Sequence, residues 1–186
     1  VISLGANQGC GAAFIAGIRA CLKLGADIIV NTDGDNQYAG RCVANLIQPI
    51  LDYRADIVIG SRPIEEISAF SPLKKKLQRI GSMIVRHLSN TNVPDVTSGF
   101  RAFSADAAMK LDVLSFYNHT LETLIQAGHL PLRICHVPVE VNLPTRPSRL
   151  MTSTTQYVWR SIFIILRAYI RHRPIRHRPI RHRPTF

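Results

Sequence analysis

The chain is short of acid. Against 23 Lys and Arg it carries only 12 Asp and Glu, a formal net charge of +11. That excludes an acidic, self-solvating segment and suits partners rich in phosphate, or an anionic membrane surface. Cysteine is scarce as well: Cys10, Cys21, Cys42 and Cys135 show no C-x-x-C spacing and have mostly apolar or small neighbours. This argues against a disulfide framework or a cysteine metal site, and for the reduced thiols of an intracellular protein. Long apolar runs are missing: no segment reaches the roughly 18 uninterrupted apolar residues of a spanning helix. No basic n-region followed by an apolar h-region opens the chain, so no signal peptide is read. The first residue is Val1 rather than Met, already in a strand-like Val1-Ile2-Ser3-Leu4, which predicts a fragment whose first elements are missing.

What is present centres on one stretch. Ile28-Ile29-Val30 is β-branched throughout, as suits a strand buried on both faces. It runs into Asn31-Thr32-Asp33-Gly34-Asp35-Asn36-Gln37, whose residues favour turns. The pattern predicts a strand that delivers two carboxylates to the rim of a sheet, where open α/β sheets bind ligands. Asp33, Asp35 and Gln37 alternate, so in an extended segment they share a face. Two carboxylates and an amide oxygen suit a hard cation such as Mg²⁺ or Mn²⁺. The alternative is a polar loop that solvates itself and caps the next helix.

The rest of the chain reads as α/β. Gly9 and Gly11 lie in a Gly-rich turn before a helix from about Ala12 to Leu24, stopped by Gly25. Glycines there either cradle a phosphate or allow tight packing. A helix from about Arg41 to Tyr53 is kinked or interrupted at Pro49. Ala55 to Gly60 is a second buried strand, ending at Ser61-Arg62-Pro63; with the first it indicates βαβ units and a parallel sheet. Over 71–89, Leu73, Leu77, Ile80, Ile84 and Leu88 form one helical stripe, with Lys74, Lys75, Lys76, Arg79 and Arg86 elsewhere. Such a helix lies on a membrane, or packs its stripe on its own core. Asn92 to Phe103 is a turn-rich loop leading into a short strand, and either binds a ligand or is a charge-paired connector around Asp95 and Arg101. Helices follow from Ser104 to about Leu111 and from Ser115 or Asn118 to about Ala127. A last strand, Leu132 to Val139, is limited to an edge or to its final residues by Pro138. Arg146 and Arg149 flank Pro147-Ser148 in a basic loop suited to phosphate oxygens, or simply solvated. Tyr157 to Ile170 is strongly apolar, with Trp159, Tyr157 and Tyr169 as interfacial anchors. The tail 171–186 repeats Arg-His-Arg-Pro three times and supplies six of the positive charges. It is low in complexity, hence disordered or extended, and is a possible nucleic-acid or lipid contact or a sequence artefact.

Together these motifs resemble family 2 glycosyltransferases, in the branch that uses dolichyl or polyprenyl phosphates. The residues that carry the likeness are Gly9-Cys10-Gly11-Ala12-Ala13-Phe14, Asn31 to Tyr38, Ala55 to Arg62, Ser98-Gly99-Phe100-Arg101-Ala102-Phe103, Thr120-Leu121-Glu122-Thr123 and Arg146 to Leu150. The resemblance implies a GT-A, Rossmann-like, mostly parallel sheet flanked by helices. It implies a catalytic domain over 1–150 that lacks its first βα units, a membrane-associated helix over 151–170 and the basic tail over 171–186. It also implies a nucleotide-sugar donor, Mg²⁺ or Mn²⁺ on Asp33, Asp35 and Gln37, and inversion at the anomeric carbon. Gly34 stands where the family usually has Ala.

The expected catalytic residues are Asp35, Arg146 and Arg149. Asp33, Asp35, Gly9, Gly11, Arg62 and Arg101 are expected around the donor. The acceptor is expected to be a lipid phosphate at the cytoplasmic face of a membrane. Two rivals stand beside this: a truncated, non-catalytic fragment, and a basic nucleic-acid-binding module. The second leaves two acids on a sheet rim unexplained.

Overall fold

The computed structural model describes residues 1–64, 72–142 and 154–172. In chain order these hold α1 (Gly9–Lys23), β1 (Ile28–Asn31), α2 (Cys42–Leu51), β2 (Ile57–Ser61), α3 (Pro72–Ser89), β3 (Arg101–Ser104), α4 (Ala105–Lys110), α5 (His119–Gly128), β4 (Ile134–Pro138) and α6 (Thr154–His172). The mixed α/β class is as expected.

The four-stranded sheet has the order β1-β3-β2-β4. β4 pairs parallel to β2, but β3 lies antiparallel between β1 and β2. Three strands therefore run one way and one is reversed, and β1 never touches β2. The reversal has a positional consequence. The segments after β1 and β2 and the segment before β3 all emerge at the same rim. Side chains alternate between two cores. Ile29, Ile57, Ile59 and Phe103 face a core built with α1 and α3 to α6. Val58, Ala102 and Phe100 face a smaller core under α2. Pro138 closes the edge strand β4 at its last residue, as its missing N–H requires.

Three local expectations change. Val1 to Leu4 form no strand; among the described residues no strand pairs with them. Helix α1 starts at Gly9, three residues early, and ends in a Schellman motif. Gly25 (φ +76°) donates to Leu22 O at 3.0 Å, and Ala26 N–H donates to Cys21 O at 3.0 Å. Pro49 stands inside α2, two residues from its end, so it removes one hydrogen bond without breaking the helix.

Most of the stripe on α3 faces outward, while Leu77 is half-buried and Leu88 packs against the core. Leu73 is 62% exposed, and Ile80 and Ile84 are exposed too, whereas Ser82, Val85 and Ser89 turn inward. Helix α6 packs Ile164, Ile165 and Ala168 inward and leaves Trp159, Phe163, Leu166 and Ile170 outside. Among the described residues no helix is long and apolar enough to cross a membrane.

Candidate active site

Strand β1 ends at Asn31, and the turn after it places Asp33 and Asp35 on the shared rim. Asn36 takes a left-handed conformation (φ 59°), which Asn tolerates. Gln37 N–H donates to Asp35 Oδ1 at 3.1 Å and tightens the turn. The Asp33 carboxylate lies over the backbone of Gly99. A Cβ at residue 99 would fall 2.6 Å from both Asp33 oxygens, so a larger residue there would displace the carboxylate. Asn31 Nδ2 donates to Gly99 O at 2.6 Å. Gly99 N–H donates to Tyr38 Oη at 3.2 Å, and Tyr38 is stacked on Phe100 with ring centroids 5.0 Å apart. Asp33 keeps one side open to solvent. Burial of its other side, then the charge of Asp35, raise its carboxyl above the usual range, against the pull of Arg62 and Arg101. A carboxylate whose charge is opposed by burial and by a neighbouring acid is a natural seat for a cation.

Gly34 meets nothing within 4 Å of where a Cβ would be, and its φ is not in the left-handed region. Gly34→Ala should therefore be tolerated. A gain of about 0.4–1 kcal/mol from a stiffer unfolded chain is expected in denaturant unfolding; a loss would mean that this turn needs glycine.

The arginines expected around the donor divide. Arg62 Nε donates to Asp95 Oδ2 at 2.6 Å and Nη2 to Asp95 Oδ1 at 3.0 Å, while Thr97 Oγ1 accepts from Nη2 at 2.9 Å. Burial favours the neutral forms, but the pair outweighs it: Asp95 is held below the usual carboxylate range and Arg62 is raised. Arg62 Nη1 also donates to Gln37 Oε1 at 3.3 Å. The amide oxygen expected on the metal is thus turned toward Arg62. Arg101 is 1% exposed. Its three guanidinium nitrogens donate to Ser98 O, Thr120 O, Thr123 Oγ1 and Val96 O at 2.8–3.0 Å. Burial lowers its pKa to about 10. Arg101 is walled off from any ligand and instead pins the 96–98 turn that presents Gly99. Gly9 and Gly11 are close-packing residues. A Cβ on Gly9 would meet Phe116 O at 2.3 Å, and one on Gly11 would meet Ser115 O at 1.8 Å.

A cavity of about 330 Å³ opens beside Arg62. Its wall includes Lys75, Gln78, Arg79, Ser82 and Arg86, and no carboxylate lines it among the described residues. Among the described residues the Ser82 hydroxyl, buried there, has no hydrogen-bond partner. The sequence shows the same lysine and arginines only as surface charges of an amphipathic helix. A sign of the cavity was available in Gln78 and Ser82, polar residues on the face opposite the apolar stripe.

Arg146 and Arg149 lie outside the described residues, as do the 173–186 part of the tail and the side chain of Tyr157. The chain leading to the two arginines is laced to the acidic loop. Asn142 N–H donates to Gln37 O at 2.8 Å and Asn142 Nδ2 to Asn36 O at 2.9 Å. Arg41 pairs with Glu140 nearby. Glu122, a motif residue, is 3% exposed and accepts from Leu114 N–H and Ser115 N–H at 3.1 and 2.7 Å. The Cys10 thiol donates to Tyr117 O at 2.9 Å and is pushed up chiefly by burial.

His119 was not anticipated. It stacks on Phe14 at 4.3 Å, and among the described residues neither ring nitrogen has a hydrogen-bond partner. Burial, and then the charge of Arg101, lower its pKa from 6.5 to about 3. Below about pH 6.5 the unfolded chain takes up a proton that the folded chain refuses until about pH 3, so stability falls as pH falls through that window. His119→Phe should stabilise the protein more at pH 5 than at pH 8 in denaturant unfolding. An equal gain at both would show that the ring's charge is not the cause.

The description "Glycosyl transferase family 2" matches residues 1–112. The chain belongs to glycosyl transferase family 2. Among curated family members, the UDP-N-acetylglucosamine–dolichyl-phosphate N-acetylglucosaminyltransferase of Methanococcus voltae is 40% identical over 143 residues, covering 72% of this chain and 55% of that protein. The undecaprenyl-phosphate mannosyltransferase of Micrococcus luteus is 31% identical over 139 residues, covering 72% and 56%. The chain thus spans about half the length of the curated relatives it matches. Among solved structures, glucosyl-3-phosphoglycerate synthase from Mycobacterium tuberculosis, in complex with Mn²⁺, UDP-glucose and phosphoglyceric acid, superposes with a TM-score of 0.64 at 18% identity. That match covers 87% of this chain and 55% of the synthase, and it establishes the fold.

Proposed function

We propose that the protein moves a sugar from a nucleotide-sugar donor to a polyprenyl or dolichyl phosphate, with a divalent cation, at the cytoplasmic face of a membrane. The observation that carries this is the acidic pair Asp33/Asp35 on a rim shared with a cavity that, among the described residues, is lined by basic side chains and no carboxylate. The names of the curated relatives support the substrate classes. The outward stripes of α3 and α6 support the membrane surface. All four cysteines are free, as suits the cytoplasmic side.

The donor set fits a hard cation. Among the described residues no cluster of three or more His, Cys, Asp or Glu gathers. One or two carboxylates, with the remaining positions filled by water and substrate phosphates, is how Mg²⁺ is commonly held. Asp33 and Asp35 would hold the ion, joined by Gln37 when Arg62 shares its oxygen. Bound there, it would supply positive charge to the donor diphosphate and the departing nucleoside diphosphate. Gly99 and Tyr38 keep Asp33 in place. Lys75, Arg79 and Arg86 would orient the acceptor phosphate, with Ser82 donating a hydrogen bond to it. That phosphate is already anionic, so attack on the anomeric carbon needs no side-chain base. Arg146 and Arg149 would close over phosphate oxygens; Asn142, bonded to the acidic loop four residues before Arg146, supports that placement.

The test is transfer of labelled sugar from UDP-GlcNAc or GDP-mannose to dolichyl phosphate with Mn²⁺, against a chelator control. Arg79→Gln should raise the acceptor KM about ten-fold while donor affinity stays unchanged, one lost charge-assisted contact being worth about 1.5 kcal/mol or more. Folded protein that binds neither Mn²⁺ nor donor in calorimetry would favour the non-catalytic alternative.

A further inference from the structure

A second cavity, about 520 Å³, lies between α6 and residues 115–117 and is built from different residues than the first. Its walls are largely aromatic: Phe116, Tyr117, Trp159 and Phe163. Trp159 is 72% exposed, Phe163 65% and Phe116 63%, a large apolar area to leave in water. Two cations share the cavity, Arg160 and Arg167, seven residues apart and both exposed. Arg160 lies over the Tyr117 ring, 4.9 Å from its centroid. Among the described residues the one acid on the wall, Glu122, is buried, already accepts from two backbone N–H groups and faces Arg171 at 3.4 Å. The open charge of the groove is therefore positive.

Aromatic rings that settle at the headgroup level, beside paired guanidinium groups, match one kind of partner. We propose that this groove docks an anionic lipid headgroup at the bilayer surface, with Arg160 and Arg167 taking the phosphate and Trp159, Phe163 and Phe116 entering the interface. The proposal rests on the membrane part of the function above and adds a site and a lipid preference to it. A neutral interface would satisfy the aromatic residues but not the two arginines. An apolar protein partner would leave both arginines buried without a counter-charge.

Trp159 is the only tryptophan, so its fluorescence reports on this groove alone. The full chain is titrated with phosphatidylcholine vesicles and with vesicles containing about one third phosphatidylglycerol. The expected result is a shift of the emission to shorter wavelength on the anionic vesicles and little or none on the neutral ones. Arg160→Gln/Arg167→Gln should weaken that response about 30-fold, at roughly five-fold per basic residue. Arg167→Gln alone, which leaves the Tyr117 contact intact, should weaken it about five-fold. The basic tail is present in every variant, so its own adsorption is common to all. Equal shifts on both vesicle types, or an unchanged double variant, overturn the proposal, as does no shift at all. Mn²⁺ and UDP-GlcNAc titrations on the same samples separate the two ideas. Donor binding without a lipid response sinks only the groove, and a lipid response without donor binding sinks only the transferase.

Discussion

Asp33→Asn should lower sugar transfer by more than about 100-fold, beyond the 10–100-fold that partners outside a metal's own ligands usually cost. It should also abolish any rise in thermal stability on adding Mn²⁺. The same substitution should stabilise the metal-free protein. Asp33 has a raised carboxyl pKa because burial and Asp35 both oppose its charge. A folded pKa above the unfolded value means that the ionised group weighs against folding at neutral pH, and that this penalty is relieved as pH falls through the folded pKa. Asn removes the charge but keeps the shape over Gly99. Thermal melts with and without Mn²⁺, beside transfer assays, check both halves. Retained transfer would remove the acidic pair from the mechanism. A metal-free variant less stable than the parent would mean that the Asp33 charge is paired rather than opposed. Asp35→Ala should match the loss of transfer.

Asp95→Ala should cost about 3–5 kcal/mol of stability, the largest single loss expected from one side chain here. Asp95 is fully buried and answers the Arg62 guanidinium with both oxygens, while Thr97 and Gln78 complete the cluster. Truncation leaves the Arg62 charge with only neutral acceptors in a site where its side chain is 9% exposed. Much of the loss should return in Asp95→Ala/Arg62→Ala, because the buried charge is then gone too. Denaturant unfolding of the two variants decides it. A loss under about 1 kcal/mol would place the pair with ordinary surface bridges.

Strands β1 and β2 were legible because β-branched triplets bounded by turn residues have few other uses. The acids at the end of β1 were legible for the same reason: chemistry that stops a strand abruptly marks a rim. The reversed β3 was not, since its partners lie more than 40 residues away on both sides and local pattern says nothing of pairing. Charge without neighbours misled at Arg62 and Arg101, which look alike in the sequence; one is locked to Asp95 and the other is spent on carbonyls. Gly9 and Gly11 were ambiguous because a glycine before a helix serves a phosphate or a close backbone equally well; here it serves Phe116 and Ser115. On α3 the period revealed two faces but not which one turned inward. That was settled by Ser82, Val85 and Ser89, small enough to approach the core. Gly99 carried no local sign of its role, because what it makes room for is 66 residues earlier.

The reversed strand has a consequence for how the chain acquires its shape. β1 and β2 are consecutive in sequence yet share no hydrogen bond, and only β3 joins them. During synthesis, β1 and β2 emerge with no ladder between the two of them. The acidic turn has no Gly99 to rest on until residues 99–104 have been made. Closing contacts over so long a loop is slow. The joining of β1 to β2 through β3 and the seating of the acidic turn should therefore come in one late step.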